Sequence, residues 1–205
     1  MKYLIVFLVF AMGAITIGEK LNCIECKAKG EDCTGESVEC ENEGDFCITA
    51  KEYDILNGNS IVSVSKGCTN ISGLCDNPMI ITSIDALLHL INKCCFEDDC
   101  NSDNIKMPEV NTKRNGFTCP GCLVIGSDKC NTKPKKFPCI DNQEECLEYI
   151  GGATRTGQNE LQYYVSGCIT NRGCEYGLPY LVGSIVSNSS SFKCSPALKR
   201  YKGYY

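Results

Sequence analysis

Near its beginning the chain reads Leu21-Asn22-Cys23-Ile24-Glu25-Cys26, and the same spacing of two cysteines returns at Cys119 and Cys122. Each pair opens a longer set, in which three further cysteines follow at short intervals and the others come after long cysteine-free segments. The first set comprises Cys23, Cys26, Cys33, Cys40, Cys47, Cys68, Cys75, Cys94, Cys95 and Cys100, and the second comprises Cys119, Cys122, Cys130, Cys139, Cys146, Cys168, Cys174 and Cys194. The recurrence of one cysteine order predicts a single module that is used twice.

The sequence outside the two sets predicts the domain organisation. Residues 102–115 lack cysteine and contain Pro108 among polar side chains, which is typical of a linker. At the beginning, Lys2 precedes an apolar run that is too short to cross a bilayer, as in a secretory signal peptide. We therefore expect a signal peptide over residues 1–18, a first domain over 19–101, the linker over 102–115 and a second domain over 116–205.

The last residues bear on the expected location of the protein. The stretch from Lys199 to Tyr205 is basic and aromatic, whereas the attachment signal of a lipid anchor ends in an apolar tail. Together with the signal peptide, this predicts a secreted, extracellular protein without a membrane anchor.

Eighteen cysteines in 205 residues approach the density of a secreted disulfide scaffold, and their even number allows every thiol to be paired. The pairs Cys23/Cys26 and Cys119/Cys122 have a spacing that is also found in zinc and redox sites. A secreted chain with one histidine and an even cysteine count favours structural disulfides instead. We expect neither a metal nor a cofactor.

Two long hairpins are predicted from the pattern of strand and turn residues. Between Cys47 and Cys68, β-branched residues flank Asn57-Gly58, a turn sequence that tolerates positive φ. A second hairpin is expected around residues 156–159. The apolar residues of the stretch 83–91 recur at helical spacing after Ser83, so this segment is predicted to form a short helix.

The ends of the first module resemble those of a known superfamily. Leu21-x-Cys23-x2-Cys26 and Cys94-Cys95-x4-Cys100-Asn101 are similar to the two signatures of the lymphocyte-antigen-6/urokinase-receptor (UPAR) superfamily. The resemblance implies an all-β, small, disulfide-rich fold of two tandem three-finger (snake-toxin-like) domains. It also implies the bridges Cys23–Cys47, Cys26–Cys33, Cys40–Cys68, Cys75–Cys94 and Cys95–Cys100, followed by Cys119–Cys146, Cys122–Cys130, Cys139–Cys168 and Cys174–Cys194.

The layout of ten and then eight cysteines resembles the gamma-type phospholipase A2 inhibitors and the sodefrin-precursor-like proteins. The first resemblance implies a binding protein that covers a secreted phospholipase A2, and the second implies a signalling or pheromone-like protein or a receptor ligand. The second module departs from the superfamily pattern, because Cys194 is followed by Ser195-Pro196 rather than by a closing bridge and asparagine.

Catalysis by the chain itself is disfavoured. Its one histidine, His89, lies in an apolar segment without a nucleophile or carboxylate at a suggestive spacing. A secreted phospholipase needs a His-Asp pair beside its paired cysteines, and Cys94-Cys95 has none. We expect no enzyme and no catalytic residue.

Charge is distributed unequally between the modules. Residues 23–101 carry 15 acidic and 5 basic side chains, a net charge of −10, whereas residues 116–205 carry 7 acidic and 10 basic ones, a net charge of +3. The acidic run consists of Glu36, Glu39, Glu41, Glu43 and Asp45, which either steers a basic partner or is a solvated face. An acidic balance disfavours nucleic acid as a ligand.

The expected partner is a secreted protein such as a basic phospholipase A2, and an oligomer is compatible with the sequence. The candidate contact residues are Glu39, Glu41 and Glu43 in the acidic run and Tyr53, Ile55 and Leu56 beside the first hairpin tip. Lys133, Lys135 and Lys136 of the second module are candidates for contact with an anionic surface or with the first module. Two sequons, at Asn70 and Asn188, are expected glycosylation sites.

Overall fold

Thirteen antiparallel strands form one continuous sheet in the computed structural model of the protein, which describes residues 19–75, 77–176 and 181–199. The first module contributes β1 (Asn22–Lys29), β2 (Glu36–Glu39), β3 (Phe46–Leu56), β4 (Asn59–Thr69), β5 (Met79–Ser83) and β6 (Ala86–Cys95). The second module contributes β7 (Arg114–Ile125), β8 (Lys135–Ile140), β9 (Gln143–Arg155), β10 (Leu161–Thr170), β11 (Ser184–Val186), β12 (Ser191–Pro196) and β13 (Leu198–Lys199). A 3-10 turn at Ser72–Leu74 and α1 (Gly173–Tyr176) are the helical elements of these residues. The expected signal peptide and the residues after Lys199 lie outside the described ranges.

Nine disulfides cross-link the two modules internally. The first module has Cys23–Cys47, Cys26–Cys33, Cys40–Cys68, Cys75–Cys94 and Cys95–Cys100, and the second has Cys119–Cys146, Cys122–Cys130, Cys139–Cys168 and Cys174–Cys194. These are the same pairs that the family resemblance implies. The antiparallel strands and the disulfides together confirm the predicted all-β, disulfide-rich fold class.

The two long hairpins predicted from the sequence are present. Strands β3 and β4 pair along their whole length, up to Leu56 opposite Asn59. Asn57 and Gly58 form the tight turn between them, with φ values of 49° and 77°, and such left-handed values are what an Asn-Gly turn provides. In the second module, β9 and β10 form the corresponding hairpin.

The helix predicted over residues 83–91 is wrong, because this segment belongs to strands β5 and β6. Its chain reverses at Ile84 and Asp85, where Asp85 adopts a left-handed φ of 54°. Strand β6 then pairs with β3 from Ala86 to Cys95. Since both faces of β6 are largely buried, apolar residues occupy successive positions and the polar alternation that identifies a strand is missing.

The two modules are joined by strand pairing between β10 and β5, with Ile169 opposite Ile81 and Cys168 opposite Thr82. Gly167 makes this approach possible, because a Cβ atom there would lie 2.1 Å from the carbonyl oxygen of Thr82. The modules are therefore parts of one sheet rather than two bodies on a string.

A buried glutamine fastens the same junction. Gln143 has no exposed surface, accepts a hydrogen bond from Thr82 Oγ1 at 2.9 Å and donates one to the carbonyl oxygen of Ile80 at 3.0 Å. Its amide also donates to the carbonyl oxygen of Cys168 at 3.2 Å. A buried side chain with all these partners adds specificity to the junction without leaving a polar group unpaired.

The largest apolar cluster of the described residues lies between the modules. Met79, Ile81 and Leu90 of the first module pack in one cluster with Leu147 and Ile169 of the second. Two smaller clusters surround the disulfides at the base of each module. Separation of the modules would expose the apolar cluster to water, which is unfavourable at about 25 cal/mol for each Å² exposed.

The first residues of the linker are fixed to the opposite face of the first module by two buried lysines. Lys51 Nζ lies 2.6 Å from the Glu31 carboxylate and 3.0 Å from the carbonyl oxygen of Ile105. Lys66 Nζ lies 2.9 Å from the carboxylate of Asp32 and donates to the carbonyl oxygen of Ser102 at 2.8 Å. The sheet of the first module is thus covered by the second module on one face and partly by the linker on the other.

Candidate protein-binding surfaces

Four exposed glutamates form a surface that we call the acidic edge, which comprises Glu36, Glu39, Glu41 and Glu43. Glu36 and Glu39 lie on β2, which is the last strand at one end of the sheet. Glu39 Oε1 lies 3.9 Å from Lys20 Nζ, but both side chains are well exposed and a pair of this kind contributes little to stability. The acidic edge is therefore free to act on an approaching partner.

The loop that carries this surface has a fixed backbone. The bridges Cys40–Cys68 and Cys23–Cys47 enclose it on both sides. Asp45, the fifth acidic residue of the run, turns inward and accepts hydrogen bonds from Asn42 N at 3.1 Å and Asn42 Nδ2 at 3.3 Å. Asp45 therefore stabilises the loop rather than facing a partner.

The three candidates beside the first hairpin tip lie on two different faces of β3. Because side chains alternate along a strand, Tyr53 and Ile55 share one face and Leu56 points to the other, together with Glu52 and Asp54. Tyr53 and Ile55 are half-buried. Leu56 packs against the apolar cluster between the modules. The sequence-predicted contact residues thus fall on the acidic edge, the outer face of the hairpin and the intermodule contact, not in one cluster.

A buried ion pair joins the two central hairpins. Arg155 Nε donates to Asp54 Oδ2 at 2.7 Å, and both side chains are nearly inaccessible to water. Burial raises the pKa of Asp54, and the guanidinium of Arg155 opposes this shift. The partners are 101 residues apart in the chain, so no local pattern in the sequence could have indicated this contact.

Glu52 is a second buried carboxyl group at the same contact. It has no exposed surface, and its Oε2 accepts the backbone N–H of Val182 at 2.8 Å. Its Oε1 has no hydrogen-bond partner among the described residues. Burial raises the pKa of Glu52 to about 7, although the N–H groups of Gly183 and Val182 oppose the shift. Sequence reasoning missed this residue, because a glutamate in a strand normally indicates a solvent-facing position.

An apolar cavity of about 90 Å³, which we call the intermodule cavity, lies beside this ion pair. Leu56 and Leu88 of the first module face Leu147 and Val165 of the second across it. The two modules therefore create a concave apolar site that neither has by itself.

The basic candidates and the sequons are exposed. Lys133, Lys135 and Lys136 are exposed and form no ion pair within the described residues. Asn70 and Asn188 are also exposed, so both are sterically open to a glycosylating enzyme. Glycosylation at either position stays a prediction.

Two groups of three cysteines bring their sulfur atoms within 4.8 Å of one another, Cys23, Cys40 and Cys68 in one module and Cys119, Cys139 and Cys168 in the other. Every one of these sulfurs is in a disulfide, so none offers the thiolate that binds zinc. His89 is 2% exposed within the sheet, where a substrate would not reach it, and burial lowers its pKa. Within the described ranges, no helix is long and apolar enough to span a bilayer.

Comparisons with known proteins agree with this architecture. The u-PAR/Ly-6 domain family matches residues 19–103 and 115–196. The chain is 28% identical over 189 residues to a gamma-type phospholipase A2 inhibitor of Gloydius brevicaudus siniticus, covering 89% of this chain and 90% of that protein. It is 28% identical over 191 residues to "Phospholipase A2 inhibitor NAI" of Notechis ater, covering 91% and 92%.

A third relative carries a different name. The chain is 25% identical over 178 residues to "Ly6/PLAUR domain-containing protein 8" of Mus musculus, covering 83% of this chain and 66% of that protein. The family resemblance seen in the cysteine signatures and the prediction of two three-finger-like domains are both confirmed. The chain belongs to the u-PAR/Ly-6 domain family and carries two of its domains.

Proposed function

We propose that the protein is a secreted binding protein that inhibits a phospholipase A2 by direct contact, covering the mouth of the enzyme so that lipid does not enter. The observation that carries this proposal is the match to the gamma-type phospholipase A2 inhibitor of Gloydius brevicaudus siniticus over about nine-tenths of both chains. Two further gamma-type inhibitors, from Elaphe quadrivirgata and Elaphe climacophora, match 97% of this chain. A likeness of this extent includes both modules and their connection.

The shape of the molecule supports recognition by a fixed surface. The shared sheet, the junction at Gln143 and the apolar cluster between the modules hold both domains in one arrangement. A preorganised surface binds more tightly than a flexible one, because less conformational freedom is lost on association.

In this proposal the acidic edge guides a basic enzyme, and Tyr53 and Ile55 form part of the apolar contact. Exposed charges act over distance and raise the association rate, whereas buried aromatic and aliphatic side chains supply most of the affinity. Leu56 contributes indirectly, because it holds the hairpin against the second module.

The test is a hydrolysis assay with the oxidised, full-length protein and a panel of basic and acidic secreted phospholipases A2. The proposal predicts that hydrolysis by at least one basic enzyme falls, on vesicles and on a monomeric short-chain substrate alike. A loss on vesicles alone would mean that the protein coats the lipid rather than the enzyme. No effect on any enzyme at micromolar protein would contradict the proposal.

A secreted signal or receptor ligand is the second candidate function. It is favoured by the match to relatives whose names do not mention phospholipase, "Ly6/PLAUR domain-containing protein 8" and "Protein RoBo-1". Capture of a cell-surface protein by the immobilised chain, with no phospholipase recovered from the same secretions, would favour this candidate over the inhibitor.

A further inference from the structure

The intermodule cavity has a wall that is made for apolar groups. Besides Leu56 and Leu88, it is lined by Leu147, Val165 and Val186. Apolar cavities in proteins stay dry and accept apolar molecules, because water inside them finds no hydrogen-bond partners. The cavity therefore favours an alkyl or similarly apolar group.

Charge does not enter this cavity favourably. Asp54 and Arg155 reach its wall, but they neutralise each other at 2.7 Å. The hydroxyl of Tyr149 is also occupied, since it donates to the carbonyl oxygen of Gly152 at 2.7 Å. A charged group at this depth would lose its hydration without gaining a free counter-ion, and such a transfer is costly. The inner end of a ligand must therefore be uncharged.

A larger groove of about 610 Å³ adjoins the cavity and shares Tyr149, Leu181, Ser184 and Val186 with it. The groove adds apolar surface from Ile185, which is 65% exposed. Together, the cavity and the groove fall within the size range of small-molecule sites, about 300 to 1,000 Å³.

A cation stands at the first-module side of this groove. Lys27 lines it, is exposed, and forms no ion pair within the described residues. Ser184, Ser187 and Ser190 add hydroxyl groups to the same groove. Polar groups and an unpaired ammonium thus lie in the groove, while the adjoining cavity is apolar.

We propose that the cavity and the groove bind an anionic single-chain amphiphile, with the end of its alkyl chain between the modules and its anionic head group beside Lys27. A fatty acid and a single-chain phosphate ester share this chemistry. The site is separate from the acidic edge and does not depend on phospholipase inhibition.

The experiment uses the oxidised, full-length protein and dansylated undecanoic acid, whose fluorescence rises in apolar surroundings. The expected result is a saturable rise with one site per chain. Dodecanoate and dodecyl phosphate, each below its critical micelle concentration, compete for the site, and their relative strength separates carboxylate from phosphate head groups. Dodecanol serves as the neutral ligand of the same chain length.

Two variants assign the two ends of the ligand. Lys27→Gln weakens the two anionic competitors about threefold to tenfold and leaves dodecanol unchanged, as the loss of one exposed ion pair requires. Lys29→Gln, which removes an exposed lysine from the same strand outside the groove, changes nothing. Ala86→Phe fills the cavity from its wall and weakens all three competitors about tenfold or more, because several methylene groups stay in water.

The folded state of each variant is checked by circular dichroism and by a mass that shows all cysteines paired. Leu87→Trp, at another lining position, replaces Ala86→Phe if that variant does not fold. The proposal is overturned if the unaltered protein gives no saturable signal, or if a folded filling variant binds as well as the parent. Equal weakening of dodecanol and dodecanoate by Lys27→Gln would overturn the assignment of the anionic end.

Discussion

Glu52 is the residue whose environment differs most from what its type indicates. Its carboxyl group is removed from water, accepts backbone N–H groups from the other module and has one oxygen without a partner among the described residues. Asp54, on the same face of the strand, adds a second acidic group and raises the pKa of Glu52 further. The contact between the modules is therefore sensitive to the protonation of a single residue.

We expect Glu52→Gln to remove a pH dependence of stability. The pKa of Glu52 is about 7 in the folded protein against 4.5 as its ordinary value, so the folded state binds this proton more tightly than the unfolded state. Its contribution is fully present below about pH 4.5 and is lost as the pH rises through 7, by at most about 3 kcal/mol. Guanidinium unfolding at pH 5 and pH 8, with disulfides intact, should show the variant gaining on the parent at pH 8.

His89 acts in the opposite sense and makes the difference between variant and parent the quantity to measure. Burial lowers the pKa of His89, so its contribution is present above its ordinary pKa and is lost as the pH falls. Glu25→Gln, at an exposed position, is the control and should leave the pH profile unchanged. Parallel profiles for the parent and Glu52→Gln would show that Glu52 does not titrate near neutrality.

The ion pair between Asp54 and Arg155 gives a second prediction for single residues. Arg155→Met leaves the Asp54 carboxylate buried without its counter-ion and should lower the free energy of unfolding by about 3 to 5 kcal/mol. The double variant Asp54→Leu, Arg155→Met removes both charges and should recover most of this loss. A double variant that is less stable than Arg155→Met would mean that the pair stabilises the fold through more than its mutual charge.

Among the elements, the pairing of β10 with β5 has the greatest consequence, because it converts two modules into one sheet. The sequence could predict the repeated hairpins and, through the family resemblance, the cysteine pairs. It could not predict this pairing, which involves strands of different modules. The stretch 83–91 misleads for a related reason, since the second module covers one face of its strand and removes the polar alternation.

The junction is tested by two glycines that hold the same place in the repeat, each directly before a cysteine. Gly167→Ala places a Cβ atom 2.1 Å from the Thr82 carbonyl oxygen and should weaken the pairing of the modules by several kcal/mol. Gly67→Ala has no atom within 4 Å of the added Cβ and should change stability by no more than about 1 kcal/mol.

Both glycine variants are measured by chemical unfolding and by amide hydrogen exchange of β5 and β10. Faster exchange in these two strands for Gly167→Ala, with the disulfide-bonded bases of the modules still protected, is the expected pattern. Equal effects of the two glycine variants would contradict the role assigned to the junction.

At the scale of the whole molecule, the separation of charge between the modules sets how a partner approaches. The first module carries a net charge of −10, and its acidic edge is exposed at one end of the sheet. The composition of the sequence predicted this asymmetry, and the structure places four of the five acidic residues in solvent and the fifth, Asp45, inside its own loop.

Replacement of Glu39, Glu41 and Glu43 by Gln should slow association with a basic partner severalfold at low salt and barely change dissociation. The difference should shrink near physiological ionic strength, where the screening length falls to about 8 Å. Glu144→Gln, at an exposed position of the second module, is the control in a surface-plasmon-resonance measurement. An unchanged association rate at low salt would show that the acidic edge only keeps the protein solvated.

The most direct test of the proposed inhibition is a titration of one basic secreted phospholipase A2 with the oxidised, full-length protein. Complex formation is followed by sedimentation velocity, and hydrolysis of a monomeric substrate is followed in the same samples. We predict that lost activity rises in proportion to the enzyme found in the complex. Hydrolysis that continues at full rate while the enzyme is fully bound, or that falls while no complex forms, would contradict inhibition by direct contact.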